Sequence, residues 1–219
     1  EIMWTNTFKS AAIAAVFAIS IAVVGCSSNN PAAASATRAA GTKTLENLQT
    51  AFDGESNANA KYLAFAKKAD EEGYQKVASL FRAAARSEEI HKNNHAAVIT
   101  KMGSVPTADI KVVETKSTAE NLKGAIEGET YERDKMYPGF LAEARSSGYK
   151  DALRTFNFAK MAEGEHAKLY AEALANLDAW KGDKTTFFVC STCGFTTTDA
   201  GLAKCPVDFT PKEEFEAIS

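Results

Sequence analysis

Glu88-Glu89-Ile90-His91 and Glu163-Gly164-Glu165-His166 are the stretches that decide how this chain folds. Each holds a Glu-x-x-His pair, the two pairs stand 75 residues apart, and each follows a Gly-Tyr step at the same distance, Gly73-Tyr74 and Gly148-Tyr149. On an α-helix, residues i and i+3 share a face, so each pair can present a carboxylate and an imidazole to one metal ion. Gly54-Glu55 and Gly128-Glu129 place one further Glu ahead of each pair. One Glu from each of two helices plus a Glu-x-x-His from each of two others is the ligand pattern of di-metal four-helix bundles.

The sequence around these pairs is helical in pattern. Apolar residues recur every three or four positions over four stretches: from Thr44, an expected N-cap, to Glu72; Gln75 to Met102; Thr118 to Ser146; and Lys150 to Trp180. The second stripe reads Val77, Phe81, Ala84, Glu88, His91, His95, Val98, and the fourth Ala152, Phe156, Ala159, Glu163, His166, Tyr170. Gly73 and Gly148 mark short turns, whereas residues 103–117 are too long for a tight antiparallel connection. A mainly α chain is expected, a ferritin-like four-helix bundle with one long crossover. Its halves repeat at an offset of 75 (Tyr62/Tyr137, Phe65/Phe140, Phe81/Phe156, Glu88/Glu163, His91/His166), but the Gly-Glu pairs repeat at 74. One extra residue therefore lies between Glu129 and Phe140, which predicts a π-bulge or kink beside Pro138.

Five carboxylates (Glu55, Glu88, Glu129, Glu132, Glu163) and two imidazoles (His91, His166) fall on the inner seams. Two unit charges 4 Å apart repel by about 4 kcal/mol even at an effective dielectric near 20. Such a cluster is tolerable around two divalent cations, and its donors suit iron, with manganese or zinc as alternatives. Glu132 breaks the repeat, because its counterpart is Ala58. His95, one turn past His91 and equivalent to Tyr170, reads as a core residue or an outer partner rather than a ligand. Tyr62 and Tyr137 either hydrogen-bond ligand carboxylates or serve as core aromatics.

The 219 residues carry a net charge of -3 and no strongly basic stretch, which sets nucleic acid aside as a partner. Lys9 precedes an apolar run, Ala11 to Val24, that ends at Gly25-Cys26. The run is short for a membrane span and suits an export signal with a lipobox over residues 1–26. Cys26 is then the expected lipidation site and the periplasmic side of a bacterial envelope the expected location, with the lipid anchor as the membrane contact. Residues 27–43 read as a flexible tether, 44–181 as the bundle and 184–219 as a second, small β domain. In that domain Cys190-Ser191-Thr192-Cys193-Gly194 is followed by Cys205-Pro206-Val207-Asp208. An odd, clustered set of cysteines is a poor disulfide framework and a good tetrahedral metal site, here with Asp208 in the fourth position. A unit this small needs a metal to fold.

Together these motifs resemble the rubrerythrin family, a ferritin-like di-iron domain followed by a rubredoxin-like domain, over roughly residues 44–217. The markers are Phe52-Asp53-Gly54-Glu55-Ser56, the two Glu-x-x-His pairs, Gly128-Glu129-Thr130-Tyr131-Glu132, Met136-Tyr137-Pro138 and Cys190-Ser191-Thr192-Cys193-Gly194. The resemblance implies that Glu55, Glu88, Glu129, Glu132, Glu163 and His166 bind two iron ions. It also implies that His91 exchanges with Glu132 as one iron changes redox state, and that Tyr62 and Tyr137 bond ligand carboxylates. It implies a peroxidase that reduces hydrogen peroxide to water, with Glu132, His91, Tyr62 and Tyr137 in the reaction. Electrons would arrive from a donor protein through one iron, or zinc in a purely structural site, at Cys190, Cys193, Cys205 and Asp208, in a homodimer or larger homo-oligomer. Asp208 departs from the family's fourth cysteine, and export departs from its usual cytoplasmic setting. The competing expectations are a ferroxidase or iron-handling protein of the envelope, and a non-enzymatic metal-binding protein.

Overall fold

The computed structural model describes residues 31–219, with residues 31–40 described by backbone alone. The expected signal segment, Cys26 and the first residues of the expected tether lie outside the described residues. The bundle is built from α1 (Pro31–Glu71), α2 (Gln75–Lys101), α3 (Thr118–Tyr131), a π-helical segment (Glu132–Met136), α4 (Tyr137–Ser146) and α5 (Lys150–Ala175). Two boundaries differ from the sequence expectation. Helix α1 begins at Pro31, inside the stretch read as a tether, so Thr44 is a buried helix-interior residue and not an N-cap. Proline suits the first helical position and the alanines that follow have the highest helix propensity, which outweighs the small, polar look of the segment. Helix α5 stops at Ala175, and Leu177–Trp180 form a separate 3-10 turn.

The two short turns are built alike. Gly73 and Gly148 adopt φ of 82° and 73°, and Tyr74 and Tyr149 donate their N–H to Ala69 (2.8 Å) and Ala144 (3.0 Å). A left-handed residue closing the last turn of a helix is where glycine is favoured. The long crossover lies along α1, where Gln49, Asp53 and Asn57, one turn apart, accept from the backbone N–H of Thr107, Asp109 and Lys111. Ser117 and Glu120 then form a reciprocal cap that starts α3. The extra residue of the second half is taken up by the π segment, whose end is marked by Tyr137 N–H bonding Glu132 O, five residues back. The predicted bulge is therefore present, ending at Met136, directly before Tyr137-Pro138.

The repeat is also visible in the packing. One buried cluster gathers Tyr62, Phe65, Phe81 and Tyr170, and a second gathers Tyr137, Phe140 and Phe156 with Leu48 and Ile99. Phe65 meets Phe81 at 5.5 Å between ring centroids, and Phe140 meets Phe156 at 5.4 Å. The acidic seam lies between these two aromatic layers.

Three short antiparallel strands, β1 (Phe187–Cys190), β2 (Thr196–Thr197) and β3 (Phe215–Ile218), pair in the order β2-β1-β3. This sheet is docked on the bundle: Phe187 and Val189 are fully buried in the first aromatic cluster. The Arg86 guanidinium of α2 forks onto Glu216 of β3 at 2.7 and 2.6 Å, and Asn94 donates to Thr192 O at 2.9 Å. Among the described residues no helix is long and apolar enough to cross a membrane.

Candidate metal centres

Helices α1, α2, α3 and α5 bring Glu55, Glu88, His91, Glu129, Glu163 and His166 together, and each is at most 1% exposed. Their donor atoms form two overlapping sets, Glu55–Glu88–His91–Glu163 and Glu88–Glu129–Glu163–His166, each within 4.8 Å. Glu88 and Glu163 belong to both. His91 Nδ1 lies 2.8 Å from Glu88 Oε2 and 3.2 Å from Glu163 Oε1, while His166 Nδ1 lies 3.4 Å from Glu88 Oε1 and 3.1 Å from Glu163 Oε2. Each shared carboxylate thus turns one oxygen toward each histidine. Glu55 stands 3.9 Å from His91, and Glu129 stands 3.7 Å from His166.

Electrostatics show what this arrangement requires. Glu55 Oε2, Glu88 Oε1, Glu129 Oε2, both oxygens of Glu163 and His166 Nδ1 are buried and have no hydrogen-bond partner. Buried polar atoms without partners are costly, and several converging at one point fit a bound cation. Protons fill the same need: burial, then the charge of Glu88, pushes Glu129 up to about 7. Burial, Glu88 and Glu132 raise Glu55 well above the carboxylate range. Burial would lower His91, but Glu163 and Glu88 outweigh it and carry it up to about 10. Burial works against the Glu88 carboxylate too, yet the imidazoles of His166 and His91 hold it below its ordinary range. The carboxylate and imidazole donors and the unpartnered atoms fit a pair of transition-metal ions.

Glu132 belongs to neither four-residue set. It opens the π segment, its Oε1 points to α1 at Gly54, and it is raised by burial and by Glu129, Glu163 and Glu88. It therefore lies at the edge of the cluster, where burial and its acidic neighbours favour the protonated form of its carboxyl. The tyrosines sit just outside the ligands: Tyr62 donates to Glu129 Oε1 and Tyr137 to Glu55 Oε1. His95 is fully buried, 3.2 Å from the Tyr137 hydroxyl and 3.0 Å from Thr155 Oγ1, and burial pushes it down to about 3.

The second centre is formed by Cys190, Cys193, Cys205 and Asp208, again within 4.8 Å of one another. Cys193 and Cys205 sulfurs lie 3.4 Å apart and Cys190 Sγ lies 3.6 Å from Asp208 Oδ2. Contact with Cys193 lowers the Cys190 thiol to about 6, burial lifts Cys205 to about 11, and the Thr210 N–H helps keep Asp208 low against burial. Thiols and a carboxylate at this spacing suit one tetrahedral ion. Two matched knuckles hold them: Gly194 N–H bonds Cys190 O at 3.0 Å, and Phe209 N–H bonds Cys205 O at 3.1 Å. Both residues have positive φ, 78° and 67°, and Phe209 takes this conformation without being glycine.

The two centres meet at the first knuckle. His91 Nε2 lies 3.0 Å from Cys193 O, Ser87 Oγ donates to Gly194 O at 2.7 Å, and His166 Nε2 lies 3.2 Å from Thr196 Oγ1. A Cβ on Gly194 would come within 2.4 Å of both His91 Nε2 and Ser87 Oγ, so only glycine permits this approach. Ser87, Thr155 and Thr196 escaped the sequence reading. Thr155 sits on the inner seam of α5, but nothing in the chain order pairs it with His95, or Thr196 with His166.

Comparison with known proteins follows the same lines. The rubrerythrin family model matches residues 46–174. Nigerythrin of Nitratidesulfovibrio vulgaris is 40% identical over 177 residues, covering 80% of this chain and 86% of that protein. Rubrerythrin-2 of Clostridium acetobutylicum is 36% identical over 180 residues, covering 80% and 96%. The structure of fully reduced, all-ferrous nigerythrin superposes with a TM-score of 0.74 at 39% identity, over 80% of this chain and 86% of that one. The bacterioferritin of Desulfovibrio desulfuricans, 22% identical with a TM-score of 0.61 over 65% and 84%, shares the fold.

Proposed function

The chain belongs to the rubrerythrin family, and from that premise we propose that it is a peroxidase of the di-iron type, reducing hydrogen peroxide to water. Its cofactors are two iron ions in the bundle and one iron or zinc ion in the C-terminal domain. The observation that carries the proposal is the pair of overlapping ligand sets, in which Glu88 and Glu163 each turn one oxygen toward each histidine. Two ferrous ions supply the two electrons that conversion of one peroxide to two waters consumes.

The chain's own residues supply the rest. Glu55, Glu88 and His91 with Glu163 would hold one ion, and Glu88, Glu129 and His166 with Glu163 the other. The reaction also consumes two protons, and Glu132, whose carboxyl is pushed toward the protonated form at the edge of the cluster, would supply one. Tyr62 and Tyr137 fix the orientation of Glu129 and Glu55. Phe81, Phe156 and Tyr170, all fully buried, keep bulk water from the ligand cluster.

The docking of the small domain on the bundle supports a route for electron entry. With Nδ1 turned to the carboxylates, His91 Nε2–H donates to Cys193 O, so a single hydrogen bond joins a residue of each centre. Cys190, Cys193, Cys205 and Asp208 would hold the ion through which electrons from a donor protein would enter. The chain works as a homodimer or larger assembly, exported and anchored through Cys26. The anchor rests on the apolar run before Cys26, and Cys26→Ser should move the protein from the membrane to the soluble fraction.

The test is to mix anaerobically reduced, iron-loaded protein with peroxide and, separately, with oxygen, and then to count turnovers with an electron donor supplied. Peroxide oxidation much faster than oxygen oxidation, sustained by the donor, is expected. Accumulation of iron beyond two ions per bundle would instead identify an iron-handling protein.

A further inference from the structure

We propose that His95, held in one tautomer by Thr155, is a positioning residue that commits the Tyr137 hydroxyl to Glu55 and so makes the two metal positions of the bundle unequal. This rests on the di-metal reading of Glu55, and not on which substrate the site reduces.

Tyr137 has a single hydroxyl hydrogen and gives it to Glu55 Oε1, since an ionised ligand carboxylate can only accept. The same oxygen lies 3.2 Å from His95 Nε2, so it must accept there and Nε2 must carry the hydrogen. A neutral imidazole has one N–H, which leaves Nδ1 as an acceptor, and Thr155 Oγ1, 3.0 Å away, donates to it. The chain Thr155, His95, Tyr137, Glu55 therefore runs in one direction, each donor polarised by the one before it.

The other half of the bundle lacks this chain. Tyr62 donates to Glu129 in the equivalent place, but the repeat partner of His95 is Tyr170 and that of Thr155 is Leu80. All four residues are buried, and the rings correspond: His95 packs on Phe156 at 5.5 Å, and Tyr170 packs on Phe81 at 5.1 Å. A shared fold position thus carries the His95 N–H on one side and on the other the Tyr170 hydroxyl, which is buried near Tyr62 without a well-formed hydrogen bond. Outer partners that orient a ligand are worth on the order of 10-fold to 100-fold in metal affinity.

The experiment is competition between the full-length protein and a chelator for ferrous iron, without oxygen, resolving the two bundle ions. His95→Leu should weaken one ion roughly 10-fold and leave the other within about 2-fold. His95→Gln, whose amide N–H reaches the place of Nε2, should recover most of that loss. Thr155→Val, close to isosteric, should weaken the same ion a few-fold, with no further effect in the His95→Leu background. Equal losses for Leu and Gln, equal weakening of both ions, or full additivity of Thr155→Val would overturn the proposal. If His95→Leu does not fold, as judged by circular dichroism, the Gln and Val variants alone decide. A protein inert to peroxide that still shows this affinity pattern would end the peroxidase reading and leave this inference standing.

Discussion

The two halves of the bundle are one design executed twice, and they differ at the outer contacts of the ligands and not at the ligands themselves. Tyr62, Glu88 and His91 in one half match Tyr137, Glu163 and His166 in the other. Around them, Glu132 has no partner but Ala58, the π segment has no counterpart in α1, and His95 with Thr155 faces Tyr170 with Leu80. Duplication preserved what two cations need in common. The departures add the Glu132 carboxyl beside Gly54 and a directed hydrogen-bond chain that ends on the neighbouring Glu55.

The largest expected effect separates shared from private ligands. Glu88→Gln removes a carboxylate from both sets, so both bundle ions should be lost, with affinity falling about 100-fold or more. Glu129→Gln touches one set only and should leave one ion, as read by metal analysis after desalting. Equal loss in the two variants would mean that the sets are not independent. Next, Glu132→Gln removes the asymmetric carboxyl but no member of either set. It should retain both ions while peroxide turnover falls roughly 100-fold, the scale of a lost proton donor. Loss of an ion would make Glu132 a ligand.

Removing the ions should invert the usual effect of pH. Glu129 is raised to about 7 in the fold, so the stability it contributes is present at low pH and disappears as pH climbs from its ordinary value near 4.5 through 7. His91, raised to about 10, contributes fully below 6.5 and loses that contribution as pH rises through 10. Glu88, held low, acts oppositely but only below its ordinary value of 4.5. Metal-free protein should therefore melt at a lower temperature at about pH 9 than at about pH 6, and ferrous iron should reduce that difference. A metal-free protein that is more stable at the higher pH would contradict this reading of the cluster.

The smallest effect compares the two tyrosines. Tyr62→Phe strands an oxygen of Glu129, whereas Tyr137→Phe strands an oxygen of Glu55 and the His95 N–H together. Tyr137→Phe should cost about 1 kcal/mol more in urea unfolding, the net worth of one further buried hydrogen bond.

Much of this was legible in the chain. The Glu-x-x-His spacing identifies an inward-facing donor pair, because helical periodicity places i and i+3 on one face. The offset of 74 against 75 residues located the π segment, because an extra residue in a helix must be absorbed between the two flanking matches. The start of α1 was not legible, since the same alanine-rich residues that favour a helix also suit a tether. Spacing puts Glu132 on the inner seam, but it could not show that the π segment opens at that residue or that its Oε1 lies near Gly54, beside Glu55.

The residue order by itself determined which side chains face inward, that the bundle is duplicated, and that two cationic centres are required, because these depend on local periodicity and on the cost of buried charge. Tertiary structure alone decided that Glu88 and Glu163 are the shared carboxylates, that His91 meets Cys193 O, and that Thr155 stands against His95 Nδ1. Those contacts join residues 60 to 102 positions apart, and their distances depend on how helices and sheet pack, which no local pattern specifies.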